Sequence, residues 1–185
     1  MRKGFGAAAA TASTRYLVNA GPLAKDSWYL NEEAEGSRFT GEGGHFIDTL
    51  SWWAGSLPEQ VYAIPGPEDG DVQATVRFRN GSTGTITYLT TGNPRYQKET
   101  LDAAGGGRSA RLDNFAKAAV WTGRRRQATR ARGGQDKGQQ MELTHFVDAC
   151  RTGAPMPIPF ESLVATTSAT IAVTRSLSSG RPEQV

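Results

Sequence analysis

The sequence predicts an α+β domain, an open, predominantly antiparallel β-sheet with helices packed on one face. Three observations carry that prediction. Val72, Ala74, Val76 and Phe78 alternate with Gln73, Thr75, Arg77 and Arg79, the period of two that marks a half-buried strand. Asn80-Gly81 follows as a hairpin turn, and Gly105-Gly106-Gly107 breaks a second hairpin further on. Leu143, Phe146, Val147 and Cys150 repeat instead at helical spacing, a stripe expected to be buried. Consecutive hairpins need no helical crossovers, so the sheet they build is antiparallel.

Along the chain, residues 1 to 13 read as a flexible leader and 14 to 185 as the domain. Gly4-Phe-Gly6-Ala-Ala-Ala9 imitates a dinucleotide fingerprint, but that pattern needs a strand before it. Only three residues precede Gly4, so it is rejected as a cofactor loop. Arg15 to Ala20 is a strand ended by Gly21-Pro22. Gly41, Gly43 and Gly44 read as a glycine-rich turn that opens a helix near Gly44, and Gly55 ends it. Val61 to Ile64 is a strand, and Thr83 to Thr91 is the return strand of the first hairpin. Tyr96 to Ala104 and Arg108 to Asn114 form the second hairpin. Ala116 to Thr122 adds one more strand, with the arginine run as its candidate extension. Gln135 to Arg151 is helical and capped by Gly153. Pro155, Pro157 and Pro159 then make an extended connector to a closing helix over Glu161 to Ser178.

Composition narrows the function classes. With 185 residues and 37% apolar content the chain can bury one real core. The single cysteine, Cys150, excludes an internal disulfide and fits a reducing compartment. No stretch approaches the roughly 20 apolar residues that cross a bilayer. The alanine run after Met1 is too weak for a signal peptide. A cytoplasmic protein without membrane contact is expected. The net charge of +3 is concentrated at Arg124, Arg125, Arg126, Arg130 and Arg132. That cluster lacks interleaved aromatics and reads as a charge-guarded edge, not a nucleic-acid surface.

The chemistry sits in the central helix. Glu42, His45, Asp48 and Trp52 fall on one face, while Phe46, Leu50 and Trp53 form the buried one. Two carboxylates flanking an imidazole can move a proton. With His45 near the expected helix start, the helix dipole would disfavour imidazolium, and a neighbouring carboxylate would favour it. The same three side chains could ligate a metal, but two histidines in all and one distant cysteine suit zinc poorly, so no metal is expected. His145 lies off the apolar stripe and reads as a surface residue.

Tyr16-Leu-Val-Asn-Ala-Gly21, Gly41-Glu-Gly-Gly-His-Phe-Ile-Asp48 and Lys137-Gly138 before a helix ending in Phe146-Val-Asp-Ala together resemble the C-terminal domain of the Gfo/Idh/MocA oxidoreductases. The resemblance covers about residues 14 to 182. It implies that His45 is the active-site histidine that handles the substrate hydroxyl proton, with Asp48 the carboxylate one turn later. Glu42 stands in for an aspartate that the family usually carries where this chain has Gly41. Asn19, Trp28 and Arg38 are the implied substrate-binding residues. NAD(P) is the cofactor of the intact family enzyme. The family's nucleotide loop and its Glu-Lys-Pro lysine have no counterpart in these residues, so this chain is expected to bind no cofactor and to be inactive alone. Partners implied are a sugar or polyol substrate, a separate Rossmann-domain chain, and further copies of the chain assembled through the open sheet. The competing expectation is a non-catalytic oligomeric binding or assembly module from a truncated gene.

Overall fold

The computed structural model describes residues 11–24, 27 and 36–185. Among them are nine strands and three helices. Strand β1 (Ser13–Asn19) leads to helix α1 (Arg38–Ala54) and then to β2 (Pro58–Pro65), β3 (Val72–Phe78) and β4 (Thr83–Leu89). Strands β5 (Glu99–Gly105), β6 (Arg108–Asp113), β7 (Lys117–Thr122) and β8 (Arg125–Arg130) follow. Helices α2 (Gln139–Thr152) and α3 (Phe160–Ser179) and the short β9 (Glu183–Gln184) close the chain. The sheet order is β8-β7-β6-β5-β1-β4-β3-β2-β9, and every pairing is antiparallel except β1 with β4. The expected α+β architecture is the observed one.

The period of two in β3 turns Val72, Ala74, Val76 and Phe78 inward, as expected, where Tyr16, Val18, Ile86, Tyr88 and Leu101 meet them. Gly81 takes φ 81° in the β3–β4 turn, a conformation open to glycine at no cost. Beyond Thr122 the arginine run is a separate strand, β8, exposed along its whole length. The last residues of the expected leader belong to the fold. Ala12 is buried, its N–H donates to Ser82 Oγ, and Ser13 already pairs in β1, while residues 1–10 lie outside the described ones.

Helix α1 corrects the sequence reading most. The glycine-rich segment is not a turn: the helix starts at Arg38, with Ser37 as N-cap, and Gly41, Gly43 and Gly44 lie inside it. Three helical glycines cost roughly 1 kcal/mol each against alanine. Burial of Phe39, Phe46, Ile47, Leu50 and Trp53 against the sheet offsets that cost. At Gly43 a Cβ would sit 2.5 Å from the Phe39 ring, so there the missing side chain makes room for a core aromatic. His45 is consequently two turns into the helix, and the dipole argument for its charge state does not apply.

Close approach at one further glycine seats this helix. Gly84 of β4 lies under α1, where a Cβ would be 2.8 Å from Thr14 Oγ1 and 2.9 Å from Leu50 Cδ1. Gly84→Ala is expected to cost about 1–3 kcal/mol through overpacking. Chemical denaturation measures it, and an unchanged midpoint would show that α1 is free to shift.

Helix α2 also departs from expectation. Its stripe of Leu143, Phe146, Val147 and Cys150 is exposed, with Leu143 at 64% and Phe146 at 50%, and only Ala149 is buried. The amphipathic period is present, but nothing among the described residues covers it. His145 is exposed, as its place off the stripe implied. On α3 the buried side is the small-residue one, Ala165, Ala169, Ala172, Val173 and Ser176, which lets the helix lie close along β2. Leu163 and Ile171 face outward.

Candidate functional site

Helix α1 presents Glu42, His45 and Asp48 to one cavity of about 690 Å³, a size within the range of small-molecule sites. Residues three apart on a helix share a face, so the spacing that suggested the set also brings it together. Asp48 and Trp52 border a second, smaller hollow of about 460 Å³ beside Pro157 and Ile158 of the connector. Glu42 is engaged by Arg38, with Nε to Oε1 at 3.2 Å.

The three implied substrate-binding residues fare differently. Arg38 does not line the cavity: its guanidinium donates to Gly21 O at 2.6 Å and to Ala20 O at 3.3 Å, tying α1 to the end of β1. Asn19 is buried beneath the loop after β4, where Nδ2 donates to Asn93 O at 2.8 Å, and it too is absent from the cavity wall. Trp28 lies outside the described residues.

The opposite wall was not foreseen. Glu99, at the start of β5, is 4% exposed and lies on the core side of the sheet with Leu101 and Ala103. Tyr16 Oη donates to its Oε2 at 2.5 Å, and the Lys137 ammonium pairs with its Oε1. Lys98 and Gln139 add to this side, and Glu142 lies near enough to Asp48 for its charge to act on it. The signal available in the sequence was Glu99 itself, an acidic residue in a register whose next inward positions are Leu101 and Ala103. Lys137 was singled out with Gly138 only as part of a resemblance.

Two groups lining this cavity have displaced protonation equilibria. Burial raises the Asp48 pKa above the ordinary carboxylate value; His45 opposes the shift and Glu142 adds to it. Burial chiefly, then the Glu99 charge and their hydrogen bond, raise the Tyr16 pKa, so its phenol keeps its proton and donates to Glu99. For Asp48 the folded state holds the proton more tightly than the unfolded chain. Its contribution to stability therefore falls as pH rises from the unfolded carboxylate value through the raised folded one. Asp48→Asn is expected to remove that slope, so wild type should gain stability relative to the variant on acidification across this window. Parallel unfolding curves from about pH 3.5 to pH 7 would contradict it.

Among the described residues no three histidine, cysteine or acidic side chains group closely enough to hold a metal ion. No helix among them is long and apolar enough to cross a membrane.

No family model matches the sequence, and no curated protein does either. The fold, however, is shared with solved oxidoreductases. A levoglucosan dehydrogenase in complex with NADH and levoglucosan is 18% identical and superposes with a TM-score of 0.81, over 100% of this chain and 62% of its own. An oxidoreductase domain protein from Kribbella flavida gives 16% identity and 0.81, again over 100% and 62%. An aldose-aldose oxidoreductase from Caulobacter crescentus, complexed with glycerol, gives 14% and 0.74, over 96% of this chain and 56% of that one. The chain thus spans about six tenths of the length of these neighbours. They are oxidoreductases of the Gfo/Idh/MocA type, and the fold that the resemblance implied is the fold this chain has.

Proposed function

We propose that these residues form the substrate side of an NAD(P)-dependent oxidoreductase acting on a sugar or polyol. The observation that carries the reading is the meeting of His45, Asp48 and Glu42 with a second charged wall in one cavity. Such neighbours as a dehydrogenase in complex with NADH and levoglucosan support it at the level of fold. Neither of the glycine-rich runs read in the sequence fits a dinucleotide: Gly41 to Gly44 is the interior of α1, and Gly105-Gly106-Gly107 joins two antiparallel strands, so neither is the strand-to-helix turn that cradles a phosphate. A nicotinamide, when bound by a further nucleotide-binding unit, accepts hydride from the carbinol carbon. What this chain supplies is the complementary half: the cavity orients the hydroxyl, and His45 takes its proton as the carbonyl forms, with Asp48 or Glu42 orienting the imidazole. The exposed stripe of α2 offers the nucleotide-binding unit a seat.

Self-association through the uncovered sheet face belongs to the same proposal. Tyr62, Ile64 and Trp121 are exposed there among threonines. A non-catalytic assembly module would use that face as well, and the cavity is what favours the enzymatic reading. The test is calorimetric titration of the chain with NAD(H) and NADP(H), with light scattering on the same sample. No nucleotide binding by a folded chain is expected. Micromolar binding would place the cofactor site in these residues and sink the reading.

A further inference from the structure

The wall opposite His45 holds an arrangement that stability alone does not explain. A carboxylate buried as deeply as Glu99 loses several kcal/mol of hydration, and an ion pair in its place is weak evidence of net stabilisation. Glu99 is nonetheless held in place by Tyr16 from one side and Lys137 from the other. Lys137 is held further. Its ammonium lies 5.5 Å from the centre of the Phe115 ring, and the turn that carries this ring has Asn114 and Phe115 at φ 49° and 51°. A phenylalanine in the left-handed region costs on the order of 1–3 kcal/mol, and such residues gather where a side chain must be held in place. Asn114 N–H donates to Glu99 O at 2.7 Å, and Asp136 N–H to Phe115 O at 3.2 Å, closing the turn onto the same pair.

A third of the Lys137 side chain stays exposed, on the cavity side of the clamp. An ammonium has three donors, and Glu99 is its ion-pair partner among the described residues, so donors remain for a bound molecule. Gln139 and Lys98 add donors nearby, while Asp48, Glu142 and His45 offer acceptors across the cavity. A hydroxyl group both donates and accepts, so a ligand bearing several hydroxyls can satisfy both walls at once. A phosphate ester is disfavoured: with Glu42 paired to Arg38 and Glu99 to Lys137, the carboxyl groups of Asp48 and Glu142 still face the cavity against Lys98 alone.

We propose that Lys137, clamped by Glu99, anchors a polyhydroxylated ligand in this cavity, and that the ligand is taken uncharged, not as its phosphate ester. The inference rests on reading the cavity as a substrate site and adds the residue that holds the substrate. Lys137 touches the ligand; Glu99, Tyr16 and Phe115 are positioning residues.

The test uses the 185-residue chain with D-glucose and D-glucose 6-phosphate as probes, followed by ligand-observed NMR at millimolar concentration. Lys137→Met alone leaves Glu99 buried without its cation and can unfold the chain, so the decisive variant is Lys137→Met with Glu99→Gln, which removes both charges. Its thermal midpoint should stay near wild type while glucose binding weakens at least tenfold, and Lys137→Arg should recover part of it. Wild type should bind the phosphate ester at least tenfold more weakly than glucose. Undiminished glucose binding by the folded double variant, or equal binding of the ester, overturns this proposal while leaving the cavity a sugar site. Absence of binding of either probe by the folded wild type overturns the substrate-site reading, and this one with it.

Discussion

Lys137→Met is expected to lower the unfolding free energy by about 3 kcal/mol, the lower end of the range for breaking a buried ion pair. The lower end applies because Lys137 is a third exposed, whereas Glu99 is nearly fully buried. What the substitution costs is chiefly the stranded carboxylate. Tyr16 still donates one hydrogen bond, but no cation remains to offset the lost hydration of the charge. For a chain of this size the shift amounts to roughly 6–12 °C in midpoint. Adding Glu99→Gln should return most of it, because a neutral amide is far cheaper to bury. If the single variant melts where wild type does, water reaches Glu99 in solution and the pair is not a structural clamp.

The balance between legible and hidden features follows from range. Hairpins built on Asn80-Gly81 and the triple glycine are local, and alternation in β3 is a direct record of which side is wet. The parallel seating of β1 beside β4 is different: Tyr16 meets Ile86 across the sheet, and nothing near either residue encodes the partner. Strand β8 has no alternation to read, since both its faces are exposed. At Gly41, Gly43 and Gly44 local propensity argued against a helix, and tertiary packing around Phe39 and Leu50 overrode it. The face bearing Glu42, His45 and Asp48 survived that error because spacings of three place residues together whether the helix starts at Arg38 or Gly44. The stripe on α2 is apolar, as its spacing implies, but uncovered among the described residues, because periodicity reports a face that some surface buries without naming the surface. Asn19 and Arg38 were polar residues near the site in sequence that the fold spends on backbone carbonyls.

His45→Asn is the prediction with the largest effect on activity. Once a nucleotide-binding unit that restores polyol oxidation is paired with this chain, the variant should lose about 10²- to 10⁴-fold in kcat, the usual contribution of a general base. Asparagine is close to histidine in polarity and reach but cannot accept a proton, so KM should change much less than kcat. The helix runs about two turns to either side of His45 and is anchored by buried residues such as Phe46 and Ile47, while His45 itself is exposed, so the fold should tolerate the change. A measured kcat within a few fold of wild type would remove His45 from proton transfer. Asp48 would then be the base to examine, because burial already raises its affinity for a proton and it borders the same cavity. A general base works best with a pKa near the operating pH, and burial moves the Asp48 carboxyl in that direction.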